Sequence, residues 1–223
     1  IDGTIDFCPV YKPNFAFFER FGSEGYALLE RLVDHINGRA IVIADAKRGD
    51  IGNTSRQYAK SILCNMGCDA ITISPYMGRD AIEEFIDNPQ KGVFILTVTS
   101  NLGASELQKH GGSSNPLYKK VIQIANELNK MGNIGLVVGA TQTEVMVDIR
   151  KQSKGMPWLI PGVGSQGGDL EKALHISHDQ GMGIINVSRG ILYAGDRSMK
   201  AVIQAVRDYS EKIRNIICNP VSC

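Results

Sequence analysis

Seven short apolar runs, each ending in polar or glycine-rich residues and each followed by a longer segment of helical spacing, constrain this 223-residue chain more than any other feature. The runs are residues 7–11, 40–44, 70–74, 93–98, 134–138, 158–160 and 184–187. Between them apolar residues recur three and four apart, as with Phe17, Phe18 and Phe21, then Leu28, Leu29 and Leu32, and later Leu117, Val121, Ile124 and Leu128. Strands alternating with helices predict an α/β fold with a parallel sheet covered by helices. In a (β/α)8 TIM barrel the chemistry sits at the carboxyl ends of the strands. Every distinctive motif stands there: Lys12-Pro13-Asn14, Asp45-Ala46-Lys47-Arg48-Gly49-Asp50, Pro75-Tyr76-Met77-Gly78, Thr99-Ser100-Asn101, Gly139-Ala140-Thr141, the glycine-rich segment from Pro161 to Gly168, and Ser188-Arg189-Gly190. An open doubly wound sheet concentrates its site at one switch point, so seven decorated ends favour a closed barrel. No repeat, linker or low-complexity tract intervenes, and residues 1–223 read as one domain.

Composition removes other classes. Lysine and arginine number 24 against 23 acids, a net charge of +1, which leaves no overall basic field for nucleic acid or an acidic membrane surface. No run approaches the roughly 18–20 apolar residues of a membrane span, and acids stand where a signal peptide carries its basic start. Five cysteines without a CxxC pair suit a reducing compartment, so the cytoplasm is expected. Cys64 with Cys68, and His175 with His178, lack further ligands at metal-site spacing, so no metal is expected.

Side chains alternate along a strand, so Asp45 and Lys47 point to one side if strand geometry persists to its end. Asp50 follows in the turn before a helix that Asn53 or Thr54 is placed to cap. Two carboxylates then flank one ammonium, each pair interacting by about 4 kcal/mol at roughly 4 Å and an effective dielectric near 20. That arrangement holds Lys47 protonated and suits a proton donor, although spacing alone favours an ordinary surface ion-pair turn. Pro13 biases Lys12 toward extended backbone, bringing a second ammonium to the barrel mouth, and Asn14 is placed to cap the next helix. The segment Gly162-Val163-Gly164-Ser165-Gln166-Gly167-Gly168 leads into a helix beginning near Asp169, and Arg189 arrives after the neighbouring strand. Barrels commonly bind phosphate with these last loops, so the two segments form a candidate phosphate clamp. Met77 is expected to line or pack the barrel and Trp158 to begin a buried strand.

These residues resemble the orotidine 5′-phosphate decarboxylase family. The resemblance rests on Val42-Ile43-Ala44-Asp45-Ala46-Lys47-Arg48-Gly49-Asp50-Ile51-Gly52-Asn53-Thr54, on Val10-Tyr11-Lys12-Pro13-Asn14, and on the proline- and glycine-led motifs after the later strands. It implies cofactor-free decarboxylation of orotidine 5′-monophosphate to UMP, the last step of pyrimidine synthesis, by a homodimer with shared sites. Lys12, Asp45, Lys47 and Asp50 would form the catalytic array. Lys47 would protonate C6, and Asp45 would face the departing carboxylate. Asp50, Ile51 and Thr54 would reach the neighbouring subunit's site. Ser100 would contact the pyrimidine, Lys12 and Asn14 the ribose region, and Gln166 with Arg189 the phosphate, with Pro161 and Gly190 in the same binding loops. The motif forms are similar to the longer branch of the family, some members of which are fused to orotate phosphoribosyltransferase.

The family barrel begins with a strand bearing a ribose-binding aspartate, whereas the first run here matches the second strand. The first strand is therefore expected upstream of Ile1, with Asp2 and Asp6 not replacing that acid. Two rivals stay open: a magnesium-dependent 3-keto-sugar-phosphate decarboxylase on the same scaffold, and an inactive phosphate-binding barrel.

Overall fold

The computed structural model describes residues 1–164 and 167–218. Gln166, the expected phosphate ligand, lies outside the described residues.

One compact unit comprises Ile1, Cys8–Leu96 and Leu128–Ile134. It carries β1 (Val10–Tyr11), α1 (Ala16–Glu19), α2 (Gly22–Ile36), β2 (Ile41–Arg48), α3 (Gly52–Ala59) running into a π-helical turn (Lys60–Asn65), β3 (Ala70–Ile73), α4 (Arg79–Ile86) and most of β4 (Gly92–Val98). β2 is buried from Val42 to Ala46 and β3 throughout, as expected of parallel strands covered on both faces. α2 buries Gly25, Leu29, Val33 and Ile36, one stripe at four- and three-residue spacing. Asn37, left-handed at φ 46°, ends it by donating its N–H to the Val33 carbonyl. The periodicity of 17–32 reads as one helix, but Gly22 at φ +61° divides it, leaving Phe17 and Phe21 67% and 60% exposed.

The other unit comprises Asp2–Phe7, Thr97–Glu127 and the chain from Gly135 onward. Its elements are α5 (Ala104–Leu107), α6 (Leu117–Leu128), β5 (Ile134–Val138), α7 (Thr143–Gln152), β6 (Pro157–Pro161), α8 (Leu170–His178), β7 (Met182–Asn186), α9 (Arg189–Leu192) and α10 (Met199–Cys218). β5 is buried end to end, and α6 turns Tyr118, Val121, Ile122 and Ala125 inward. Trp158, fully buried in β6, donates its indole N–H to Ser153 Oγ at 3.1 Å. The Arg150 guanidinium stacks 3.8 Å from its ring centroid and donates to the Ser153 and Met156 carbonyls at 3.0 and 2.9 Å. Burial pushes the Arg150 pKa down to about 10.

Hydrogen-bonded strand order is chain order, β1 to β7, and the recorded registers are parallel. Each expected run overlaps a strand, β5 residue for residue, although only Val10 and Tyr11 of the 7–11 run are strand. β1 and β7, at the two ends of that order, are the least buried strands.

Helix starts depart from expectation in an instructive way. Asn53 and Thr54 lie inside α3 instead of capping it; the start at Ile51 has no side-chain cap. The turn is closed by Ser55, whose hydroxyl accepts the Asp50 N–H at 3.2 Å and donates to the Asp50 carbonyl at 2.5 Å. Asn14 does not take the cap position of α1, which falls on Phe15 without a side-chain cap; its Oδ1 accepts the Ala16 N–H at 3.2 Å from one residue earlier.

Candidate active site

The site in the first unit is built by strand pairing that outlasts the strands. β1 pairs with β2 as Val10 to Ile41 and Tyr11 to Val42. Pro13 cannot donate to a ladder, yet the pairing resumes in the same register as a parallel bridge between Asn14 and Asp45. There the Asp45 N–H donates to the Pro13 carbonyl at 3.0 Å, and the Phe15 N–H to the Asp45 carbonyl at 3.2 Å. Constant register and strand alternation put Lys12 and Asn14 on the Asp45 side of the strands.

β2 then leaves regular geometry. Its register with β3 runs Ile43 to Ala70 and Ala44 to Ile71, then jumps to Arg48 opposite Ile73, a bulge that sets four steps on β2 against two on β3. Lys47 sits inside that bulge with φ +47°, a left-handed conformation rarely adopted by non-glycine residues. The expected strand alternation therefore does not carry Lys47 to Asp45; the bulge does. Its ladder partner is replaced by the Thr72 hydroxyl, which accepts the Lys47 N–H at 3.0 Å. On the far side Arg48 is clamped: it pairs with Glu19, donates to the Ala46 carbonyl at 3.1 Å and lies over the Tyr58 ring at 5.3 Å.

The resulting charge cluster differs from two acids around one base. It is one carboxylate between two bases: Asp45 Oδ2 binds Lys12 Nζ and Asp45 Oδ1 binds Lys47 Nζ. Asp45 is 8% exposed; the Lys12 side chain is 11% exposed and that of Lys47 is 47% exposed. Burial alone would raise the Asp45 pKa, but the Lys12 and Lys47 ammoniums outweigh it and hold the carboxyl below its ordinary value. For Lys12 burial wins, lowering its pKa against the pull of Asp45. Asp50 makes no ion pair with Lys47 among the described residues; its Oδ1 accepts the Ile51 N–H at 2.8 Å. The cause is the turn that Ser55 closes, which aims the Asp50 carboxylate at its own backbone. Ile51 is 60% exposed, Thr54 is exposed, and Met77, expected to pack inward, is 47% exposed.

In the second unit, Ser100 follows β4 beside Thr99. Gln108 brackets Thr99, accepting its N–H and donating to its hydroxyl, both at 2.8 Å, while Gln142 donates to its carbonyl at 3.0 Å. Beyond β6 the backbone turns from Pro161 through Gly162 and Gly164, and Gly168 donates its N–H to the Gly162 carbonyl at 3.1 Å. At the N-terminus of α8, expected to face an anion, one N–H is capped by the chain itself: Asp169 Oδ1 accepts the Lys172 N–H at 3.1 Å. Arg189 and Gly190 instead open α9; Arg189 is exposed, and its side chain has no ion pair among the described residues. The Tyr209 hydroxyl of α10 lies 3.2 Å from where a Cβ on Gly164 would sit and 2.9 Å from one on Gly190. A side chain at either position would have to displace that hydroxyl. Thr72, Gln108 and Tyr209 escaped the sequence reading because each acts through a partner at least nine residues away.

A family model described as orotidine 5′-phosphate decarboxylase / HUMPS family matches residues 6–205. The orotidine 5′-phosphate decarboxylase of Dehalococcoides mccartyi strain CBDB1 is 43% identical over 223 residues, covering 97% of this chain and 82% of that protein. The solved Leishmania donovani OMP decarboxylase is similar with a TM-score of 0.88 and 37% identity, over 96% of this chain and 83% of the other. Leishmania donovani UMP synthase has the same TM-score at 38% identity, over 97% of this chain and 48% of the other.

Proposed function

The chain belongs to the orotidine 5′-phosphate decarboxylase / HUMPS family, and from that premise we infer that it converts orotidine 5′-monophosphate to UMP and carbon dioxide by fixed charge and proton donation, without a cofactor. The observation that carries this reading is the buried Asp45 carboxylate held between the Lys12 and Lys47 ammoniums. When the carbon–carbon bond breaks, its electron pair stays on C6 as an sp² carbanion with no attached electron sink. Stabilisation must come from placed charge and a nearby acid. Lys47 gives its proton to C6 and becomes neutral. Asp45, kept ionised by its two lysines, faces the substrate carboxylate, and the repulsion between them is relieved as neutral carbon dioxide departs. Lys12 and Asn14 hold the ribose region, Ser100 the pyrimidine, and Pro161, Gln166, Arg189 and Gly190 the phosphate.

Rate enhancements near 10¹⁷-fold correspond to about 23 kcal/mol, more than one lysine supplies. Binding energy from the phosphate is therefore spent on the reacting centre. A homodimer completes the site: Asp50, Ile51 and Thr54 enter the neighbouring copy, a role supported by the exposure of Ile51 and by an Asp50 carboxylate with no lysine partner among the described residues. One catalytic domain is supported by a family match that runs through both compact units. Closure as a (β/α)8 barrel by an eighth strand upstream of Ile1 is supported by the partial burial of β1 and β7. An OMP decarboxylase and a UMP synthase match with the same TM-score, so the likeness allows both a free-standing enzyme and a fusion to orotate phosphoribosyltransferase. The cytoplasm is the proposed compartment, supported by the four free thiols among the described residues. No described helix is long and apolar enough to cross a membrane.

The test is ultraviolet loss of orotidine 5′-monophosphate by the full-length protein in excess chelator. Chelator-resistant loss supports the reading. Loss only with added magnesium transfers it to the metal-dependent rival, and tight UMP binding without carbon dioxide release to the inactive barrel.

A further inference from the structure

We propose that Thr72 is a positioning residue for the decarboxylation, fixing both the strained backbone of Lys47 and the rotamer of Asp45 through one hydroxyl. This rests on the decarboxylase reading given above. Thr72 lies in β3, opposite Phe94 of β4 and 1% exposed. Its Oγ1 accepts the Lys47 N–H at 3.0 Å and lies 3.2 Å from Asp45 Oδ1. An ionised carboxylate only accepts, so the hydroxyl proton must go to Asp45. The lone pair facing Lys47 and the proton facing Asp45 leave the hydroxyl no freedom to rotate. Lys47 Nζ returns to the same Asp45 Oδ1, so backbone N–H, hydroxyl, carboxylate and ammonium form a closed ring. β-Branching stiffens the Thr72 side chain that anchors it.

Two consequences follow. The bulge leaves the Lys47 N–H without a ladder acceptor. Thr72 supplies one, and without it the left-handed φ of +47° loses the bond that holds it. The Asp45 oxygen that receives the donor ammonium is also held from a second direction, which sets where that ammonium rests. Misplacement of a reacting group by about 1 Å is worth roughly 10²-fold in rate. A positioning role thus falls on kcat and leaves nucleotide affinity nearly untouched, because Thr72 touches no substrate in this assignment.

The experiment measures kcat and KM for orotidine 5′-monophosphate with full-length wild type, Thr72→Val and Thr72→Ser, counting folded sites by UMP titration. Thr72→Val keeps shape and branching but removes the hydroxyl. We expect its kcat to fall at least tenfold with KM within about threefold, and Thr72→Ser to recover most of the loss. If Thr72→Val does not fold, Thr72→Cys, with its weak donor and acceptor, takes its place with the same expected fall. Wild-type kcat in a folded hydroxyl-free variant, or a loss confined to KM, overturns the proposal. So does failure of a folded Thr72→Ser to recover activity. An inactive wild type overturns the decarboxylase reading itself and is seen before any variant is made.

Discussion

Replacing Lys12 by methionine removes one of the two ammoniums on Asp45 while keeping most of the apolar stem. At roughly 4 Å and an effective dielectric near 20, the lost attraction is about 4 kcal/mol. Truncating one partner of a buried pair typically costs about 3–5 kcal/mol. Lys47 remains on the other oxygen, and the substitution also removes the desolvation cost that burial imposes on the Lys12 ammonium, so the expected loss of stability at pH 7 is about 1–3 kcal/mol. The pH dependence identifies its origin. In the wild type the Asp45 pKa lies below its ordinary value of 3.8. Its stabilising contribution is therefore complete above that value and is lost as pH falls through the folded pKa. In Lys12→Met, burial is opposed by one ammonium instead of two, and the Asp45 pKa rises. The wild-type advantage should be full at pH 7 and smaller at about pH 4, because as pH falls the variant's Asp45 takes up its proton before the wild type's does. Urea unfolding of both proteins at the two pH values measures this. A difference under about 1 kcal/mol at pH 7, or one equal at both pH values, would refute the assignment of Asp45 as a buried carboxylate held by paired charge.

Gln166→Ala combined with Arg189→Ala should lower kcat as well as raise KM, because phosphate binding energy is spent in the transition state; steady-state kinetics showing a normal kcat with only a raised KM counts against it. Gly190→Ala places a Cβ 2.9 Å from the Tyr209 hydroxyl and should destabilise by about 1–3 kcal/mol. Adding Tyr209→Phe should return part of that loss in a double-mutant cycle, and strict additivity would show the contact to be irrelevant. Arg150→Met removes the donor to two buried carbonyls beside the only tryptophan. It should cost about 2–4 kcal/mol and change Trp158 fluorescence, and a stability unchanged within about 0.5 kcal/mol contradicts the role given to that stack.

What could be read from residues alone was whatever depends on local periodicity. The burial of Trp158 and the Ile134–Val138 strand follow from apolar runs, and the helix over Leu117–Leu128 from three- and four-residue spacing. The types of the charged residues at the β2 end announced chemistry. Their arrangement depended on register: the jump between Ala44 and Arg48 is decided by pairing with β3, some 27 residues away, and no property of Asp45 or Lys47 reveals it. Thr72 was invisible for the same reason, a threonine in an apolar strand being ordinary until its hydroxyl faces Lys47 and Asp45. Local capping rules also lost to context. Asn53 and Thr54 are displaced by the Ser55–Asp50 turn, whereas Asp169 caps the helix expected to begin beside it.

The most direct test of the central claim follows the carbon dioxide released from orotidine 5′-monophosphate by full-length wild type and Lys47→Ala in excess chelator, with UMP binding measured on both. Release by the wild type, abolished in Lys47→Ala while UMP binding persists, is the predicted result. Undiminished release by Lys47→Ala contradicts the account, because the proton then reaches C6 from somewhere other than the lysine held at Asp45.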